Sequence, residues 1–121
     1  LWTLGNAYFS ARNFVAATPF YERLVKVTPK DDGAWIAVGA AAFNGGDNDR
    51  ALVAWQRAAE LNPKNAEAFY NLGFWYLAQV PAQEANAIDM WQKVIDIDAT
   101  SDFAKDVMSR MASASTPSPT K

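Results

Sequence analysis

The chain has 121 residues, half of them apolar, and a formal net charge of −2. This length is enough for one domain with a real hydrophobic core, and the slightly negative charge argues against a broad basic surface for nucleic acid. The sequence contains no histidine and no cysteine, which excludes disulfides and removes the usual general base, nucleophile and transition-metal ligands.

A pattern of spaced residues recurs along the chain. Its central copy consists of Trp35, Val38, Gly39, Ala42, Ala51, Trp55, Ala58 and Pro63. A shift of 34 residues upstream gives Leu1, Leu4, Gly5, Tyr8, Ala17, Tyr21, Leu24 and Pro29. The same shift downstream gives Phe69, Leu72, Gly73 and Tyr76, and a shift of 36 then gives Ala87, Trp91, Val94 and Ala99. Two residues have therefore been added within 79–86, and a repeat of this period indicates a solenoid.

The motif W-x2-L-G-x2-Y, followed by a small residue, an aromatic residue, a second small residue and a proline, resembles the tetratricopeptide repeat (TPR). The resemblance covers about residues 1–99. It implies an all-α fold, a right-handed superhelical solenoid of three antiparallel helix hairpins with a seventh, capping helix. Four positions depart from the motif, and we expect them to change local packing rather than the fold: Leu24, Ala42, Val94 and Ala99.

Seven helices are predicted in chain order. Apolar spacing and turn signals place them at about 1–11, 15–27, 32–44, 48–61 and 65–78, from after Pro81 to about 97, and from about 101 to 113. Pro29 and Pro63 end two of them, because the residue before a proline disfavours helix, and Asp31 or Asp32 caps the third. The repeats then span about 1–31, 32–65 and 66–100, and the Ser/Thr/Pro-rich residues 114–121 are expected to be a disordered tail.

The repeat also predicts the core. A glycine in mid-helix costs about 1 kcal/mol against alanine, so the glycine kept in every copy indicates close approach of the partner helix. One placement for Trp75, which occupies the position of Ala7 and Ala41, is under the capping helix. The expected core consists of Leu4, Tyr8, Tyr21, Trp35, Val38, Trp55, Phe69, Leu72, Tyr76 and Trp91.

The inner surface of the solenoid is the predicted place for function. In TPR proteins the first helix of each hairpin lines a concave groove, and helical spacing keeps each trio of such positions on one face. By this resemblance the groove-facing residues are Trp2, Asn6, Phe9, Ile36, Ala40, Phe43, Tyr70, Phe74 and Leu77, flanked by Glu67 and Asn71. This apolar and aromatic surface suits an extended segment or an amphipathic helix of a partner. The competing interpretation is that several of these side chains pack against neighbouring helices.

One TPR subgroup grips the acidic C-terminal tail of heat-shock chaperones with lysine, arginine and asparagine side chains. The corresponding positions in this chain are Trp2, Asn6, Ala37, Glu67 and Asn71. Only Asn6 matches the subgroup, and Glu67 carries the wrong charge. We therefore expect no binding of that tail.

Catalytic and metal sites are not expected. The run from Asp47 to Asp49 begins like a calcium loop, but the required oxygen ligand and central glycine fail at Ala51 and Leu52. A polar turn and helix cap is the better interpretation. The sequence therefore predicts no enzyme activity and no cofactor.

Two functions remain open. The first is a non-catalytic interaction module or scaffold that binds a protein or peptide segment. The alternative is a self-assembly module of a larger and possibly membrane-anchored protein. The chain begins at Leu1 inside the first repeat, so we expect it to be a piece of a longer protein. It has no run of about 18 apolar residues and no signal peptide, so we expect no direct membrane insertion and a cytoplasmic location by default.

Overall fold

The computed structural model describes residues 1–115, with side chains described as far as residue 113. This part of the chain contains seven α-helices and no strand. The helices are α1 (Trp2–Ser10), α2 (Phe14–Val27), α3 (Asp32–Asn44), α4 (Asn48–Leu61), α5 (Ala66–Leu77), α6 (Glu84–Ile97) and α7 (Asp102–Ser115). None of the helices within residues 1–115 is both long and apolar enough to cross a bilayer. The tail predicted over 114–121 lies outside the described residues from 116 onward.

Side-chain caps start five of the helices. The side-chain oxygens of Asn13, Asp31, Asp47, Asn65 and Ser101 each accept a hydrogen bond from the backbone N–H three residues later, at 3.1 to 3.2 Å. Each bond satisfies one of the amide groups that the first turn of a helix leaves unpaired. Asp31 is thus the cap of α3, and Asp47 caps α4 as the sequence predicts.

Asp32 instead links two hairpins. Its carboxylate accepts hydrogen bonds from the side-chain amides of Asn62, at 3.1 Å, and Asn65, at 2.8 Å. Burial alone would raise the pKa of Asp32, but the hydrogen bonds from Asn65 and Asn62, together with those from the backbone N–H groups of Asp32 and Gly33, favour the ionised form and lower the pKa.

Each helix packs mainly against its neighbours in the chain, so the hairpins stack in a row. Val38 of α3 packs with Leu24 and Val25 of α2, and Leu72 of α5 packs with Ala58 of α4. The second helix of one hairpin therefore covers the first helix of the next. This arrangement is the all-α solenoid that the repeat predicts.

The repeated glycine lies where the two helices of a hairpin come closest. A methyl carbon built on Gly5, Gly39 or Gly73 would come closer than 3.0 Å to the ring of Tyr21, Trp55 or Trp91, respectively. The expected close approach is therefore confirmed. The indole N–H groups of Trp55 and Trp91 also donate to the carbonyls of Ile36, at 3.2 Å, and Tyr70, at 3.1 Å.

The two added residues lie in the loop between α5 and α6. In all three hairpins one backbone hydrogen bond closes the loop, joining the N–H groups of Asn13, Asp47 and Gln83 to the carbonyls of Tyr8, Ala42 and Tyr76 at 2.8, 2.8 and 3.0 Å. The third loop keeps this bond and bulges outward, with Val80 98% exposed. With the insertion the hairpin still has its loop-closing bond and the contact between Gly73 and the Trp91 ring.

Two of the predicted core residues were placed wrongly. Leu4 is 51% exposed and Tyr8 is 39% exposed, although Tyr8 stacks on Phe20 with ring centroids 5.6 Å apart. The equivalent residues of α3 and α5 are covered by the second helix of the preceding hairpin, whereas α1 packs mainly against α2. Of the other predicted core residues, Tyr21, Val38, Trp55, Leu72 and Trp91 are buried, and Trp35, Phe69 and Tyr76 are half-buried.

The placement of Trp75 under the capping helix is also wrong. Trp75 is 8% exposed and packs with Ala51 and Trp55, on the side of the preceding hairpin. Its indole N–H donates to the carbonyl of Asn48 at 2.8 Å. The small residues Ala42 and Ala51 belong to the same buried cluster as the Trp75 ring.

Candidate functional site

The eleven residues predicted for the groove, which we call the groove set, all lie on α1, α3 or α5. They differ in how much surface they offer. Trp2, Asn6, Glu67 and Leu77 are exposed, and Phe9, Ala40, Phe43, Tyr70, Asn71 and Phe74 are half-buried. Ile36 is the exception, at 7% exposure.

The α1 part of the groove set is built on Tyr21. The ring of Trp2 meets the ring of Tyr21 edge-on, with centroids 5.9 Å apart, and the hydroxyl of Tyr21 donates to the amide oxygen of Asn6 at 2.5 Å. Burial raises the pKa of Tyr21. Phe9 lies edge-on to Phe14 at 5.1 Å. The amide oxygen of Asn6 is thus already engaged, and Trp2 is the residue of this trio with the most apolar surface to offer.

The α3 part of the groove set is mostly used by the core. Ile36 belongs to the buried cluster around Trp55, so the competing interpretation, packing against neighbouring helices, describes this residue. Phe43 is half-buried, with its ring centroid 5.4 Å from that of Trp55. Ala40 is also half-buried.

The α5 part of the groove set contacts α7. The hydroxyl of Tyr70 donates to the carboxylate of Asp106 at 2.6 Å, and Nε of Arg110 donates to the same oxygen at 2.8 Å. The Arg110 guanidinium lies 4.9 Å from the centre of the Phe74 ring, a distance at which cation–π attraction acts. The centroid of the Phe103 ring is 4.9 Å from that of Tyr70. The α5 part of the groove set is therefore a pair of aromatic rings beside the charged pair Asp106 and Arg110.

The hydrogen bonds of this network shift two pKa values. The bond from Tyr70, and then the bond from Arg110, favour the ionised carboxylate and lower the pKa of Asp106. Burial, followed by the hydrogen bond to the Asp106 carboxylate, raises the pKa of the Tyr70 hydroxyl. Both shifts keep Tyr70 as the donor and Asp106 as the acceptor at neutral pH.

The sequence analysis missed Asp106 and Arg110. Both follow from the repeat, because a shift of 36 residues carries Tyr70 onto Asp106 and Phe74 onto Arg110. In the prediction from sequence, α7 is only a cap and the repeat register ends at Ala99. The structure shows that α7 contributes side chains to the same surface as α5.

The polar edge of the groove set is formed on α5. Glu67 is exposed as a whole, yet partial desolvation of its carboxyl group raises its pKa. Asn71 is half-buried one turn later. Within the part of the chain that the structure describes, no group of three or more acidic, histidine or cysteine side chains converges to hold a metal ion. The chemistry of this surface is that of apolar contact with a few hydrogen-bonding groups.

Family models match two overlapping stretches of the chain. Residues 39–80 match a model described as TPR repeat, and residues 67–101 match one described as Tetratricopeptide repeat. Small glutamine-rich tetratricopeptide repeat-containing protein 2 of Mycosarcoma maydis is 28% identical over 102 residues, which are 84% of this chain and 28% of that protein. The peroxisomal targeting signal receptor of Saccharomyces cerevisiae is 30% identical over 69 residues, which are 57% of this chain and 11% of the receptor.

Solved structures share the fold. YrrB, described as a TPR protein with an unusual peptide-binding site, is 30% identical with a TM-score of 0.77, and the match covers 88% of this chain and 54% of that one. The first TPR domain of Spaghetti (RPAP3), solved with the HSP90 peptide SRMEEVD, has a TM-score of 0.78 at 18% identity and covers 91% and 86% of the two chains. At that identity the second match supports the fold alone.

These matches agree with the repeat, the stacked hairpins and the glycine–aromatic contacts. The chain spans 11% to 28% of the length of the curated relatives that it matches, so their whole activities do not transfer to it. TPR domains generally serve as scaffolds for protein–protein interaction. The chain belongs to the tetratricopeptide repeat family.

Proposed function

We propose that this chain is a non-catalytic interaction module whose groove set binds an extended segment or an amphipathic helix of a partner protein. The observation that carries the proposal is the row of accessible aromatic rings on successive first helices, from Trp2 through Phe43 to Tyr70 and Phe74. Rings of this kind supply most of the energy at interfaces, at about 25 cal/mol per Å² of apolar area before association costs. Glu67, Asn71, Asp106 and Arg110 then set the register of the bound segment.

The position of Ala40 offers the sharpest test of this proposal. An Ala40→Arg variant places a long charged side chain in the middle of the groove and removes no ring contact. The matched control is Ala85→Arg, at an exposed alanine of α6 outside the groove set. A Tyr70→Ser, Phe74→Ser double variant is less clean, because both side chains also hold α7 in place.

The experiment is a pull-down from native lysate with the wild type and both variants, each checked for folding by circular dichroism. We expect a partner that the wild type and Ala85→Arg retain and that Ala40→Arg loses. Cross-links from that partner should map to α1, α3 and α5. Equal capture by all three proteins would place the binding site elsewhere and refute the proposal.

We also propose that the groove does not bind the acidic tail of heat-shock chaperones. The basic clamp is replaced by Trp2, Ala37 and Glu67, and Arg110, a basic group beside Phe74, is already paired with Asp106. Calorimetric titration with the peptide SRMEEVD tests this directly. Micromolar affinity would overturn it.

Self-assembly is the second candidate function, and the exposed face of α1 favours it. Leu1, Leu4 and Tyr8 are 43%, 51% and 39% exposed, although they occupy repeat positions that a preceding helix covers in α3 and α5. A helix from a second copy would bury this face in the way that α2 covers α3. The exposed face thus suits an amphipathic helix with an apolar stripe.

Light scattering across a concentration series tests self-assembly, with Leu4→Glu as the variant. We expect the wild type to gain mass as its concentration rises and the variant to stay monomeric. The exposed Val53→Glu change on α4 is the matched control, because it adds the same charge away from this face. A wild type that is strictly monomeric at high concentration would rule out this candidate.

A further inference from the structure

A cavity of about 580 Å³ lies between the end of α5, the first turns of α6 and the end of α7. Its walls are mostly apolar and include Leu77, Ala87, Ile88, Trp91 and Met111, with Glu84 as the charged residue among them. Pockets that bind small ligands commonly measure about 300–1,000 Å³, so this cavity has room for an aromatic side chain.

The internal repeat identifies what kind of group fits there. A shift of 36 residues carries α4 (Asn48–Leu61) onto α6 (Glu84–Ile97) and carries the cap Asn65 onto Ser101, the residue before α7. By this register the walls contributed by Ala51 and Trp55 at the α4–α5 junction become Ala87 and Trp91. The residue equivalent to Trp75 is Met111, and the residue equivalent to Asn48 is Glu84.

At the α4–α5 junction an indole fills the equivalent space. Trp75 packs beside Ala51 and Trp55 and donates its N–H to the backbone carbonyl of Asn48 at 2.8 Å. Met111 is narrower than a tryptophan and has no N–H to donate. The α6–α7 junction therefore keeps small and aromatic walls like those that hold an indole, but has no indole of its own at that position.

We propose that this cavity binds a tryptophan side chain of a partner protein, next to a basic residue of the same segment. The ring takes the place that Trp75 fills one repeat earlier. The basic neighbour pairs with Glu84, which has no ion-pair partner among the described residues. Leu77 belongs to both the cavity and the groove set, so the inference rests on the proposed function and names the side chain that anchors one end of the partner.

Direct binding of short peptides tests the inference without knowledge of the partner. The probe is the capped tetrapeptide acetyl-Gly-Lys-Trp-Gly-amide, and its controls replace tryptophan by alanine or lysine by glutamate. We expect measurable affinity, about 1 mM or tighter, for the tryptophan peptide and at least a tenfold loss with alanine. Replacing lysine by glutamate is expected to weaken binding about two- to fivefold, as for a solvent-exposed ion pair.

Methyl NMR locates the binding site. The tryptophan peptide should shift the methyl signals of Met111, Ala87 and Ile88. A Met111→Trp variant, which supplies the ring from within the chain, should weaken peptide binding at least tenfold. Met108→Trp is the matched control on the same helix, because Met108 is exposed and does not line the cavity, and its affinity should stay within twofold of the wild type.

The inference is overturned if the tryptophan and alanine peptides bind the wild type equally. It is likewise overturned if the peptide shifts the methyl signals of Ala40 and of residues around Trp2 and Phe43 instead of those that line the cavity. It is also overturned if a folded Met111→Trp variant binds as tightly as the wild type. The peptide comparison uses the unaltered protein, so it stands even where a variant fails to fold. Loss of a native partner by Ala40→Arg, together with equal peptide binding, would leave the proposed function intact and remove the tryptophan site alone.

Discussion

Leu4 of α1 and Leu72 of α5 occupy the same position of the repeat, yet Leu4 is 51% exposed and Leu72 is 3% exposed. Within their hairpins the two leucines are alike, since each lies beside the glycine that meets an aromatic ring of the second helix. The difference is the helix before them, because α4 covers α5, whereas no helix within residues 1–115 covers α1 in that way. A repeat motif thus fixes the contacts inside a hairpin, whereas burial between hairpins depends on the neighbour.

Removing a buried contact inside a hairpin should lower the free energy of unfolding more than any other change considered below. Trp55→Ala removes a ring that is 3% exposed, fits against Gly39 and donates to the carbonyl of Ile36. We expect the free energy of unfolding to fall by about 3–5 kcal/mol. Trp2→Ala removes a ring that is 39% exposed and should cost about 1 kcal/mol or less. Urea unfolding followed by circular dichroism measures the loss of unfolding free energy in each variant. Equal losses for Trp55→Ala and Trp2→Ala would contradict the expected difference between a buried and an exposed ring.

The two leucines test the covering helix directly, because the substitution and the repeat position are the same. Leu72→Ala is expected to lower the free energy of unfolding by about 2–5 kcal/mol, as for buried leucines in general. Leu4→Ala should change it by about 0.5 kcal/mol or less, since surface substitutions rarely do more. Chemical denaturation of a monomeric sample gives both values. A large cost for Leu4→Ala would mean that α1 is covered in solution.

The same reasoning explains how much of the fold could be predicted. The seven helices follow from the motif, the prolines and the capping residues, which all act within a few positions in the chain. Leu4 and Tyr8 were misplaced because the motif was applied to α1 as though a preceding helix were present. Trp75 was misplaced because its partner, the carbonyl of Asn48, lies 27 residues away and leaves no mark in the local pattern.

The groove shows a similar division. The residues of the groove set lie on α1, α3 and α5, but helical spacing did not distinguish Ile36, which the core around Trp55 buries, from Trp2, which remains accessible. The predicted repeat register ends before α7, so the prediction leaves out Asp106 and Arg110. Spacing reports which face of a helix a residue occupies, and only the packing of the next helix decides whether that face is open.

Acid should loosen α7 before it unfolds the hairpins. The pKa of Asp106 is lowered in the folded state. Its contribution to stability is therefore complete above the pKa of an unfolded aspartate, about 3.9, and is lost as the pH falls from there through the lower pKa of the folded state. Asp106→Asn removes this dependence along with the charge. We expect the free energy of unfolding to fall less steeply between about pH 5 and about pH 3 in the variant than in the wild type.

Asp89→Asn, at an exposed position of α6, is the control for removing one negative charge. Its pH dependence should follow that of the wild type over the same range. Hydrogen exchange should show the acid-induced loss of protection in α7 and in the turn of α5 around Tyr70. A wild type and an Asp106→Asn variant with the same slope would mean that the network does not hold α7.

The smallest expected effect concerns the turn inside a hairpin, where Arg12 and Gly46 occupy equivalent positions 34 residues apart. Both have a positive φ, 61° for Arg12 and 91° for Gly46, and this left-handed conformation favours glycine over any residue with a side chain.

A Cβ on Gly46 would meet nothing within 4 Å, so Gly46→Ala tests the backbone alone and should cost about 1 kcal/mol. Arg12→Gly should raise the free energy of unfolding by up to about 1 kcal/mol, partly offset by the greater freedom of glycine in the unfolded chain and by the lost contact with the Phe14 ring. Urea unfolding resolves the sign of both changes. Opposite signs would mean that the first hairpin forms the same turn as the second, with or without a helix packed before it, whereas destabilisation by both would mean that the contact between Arg12 and Phe14 outweighs the strain in the backbone.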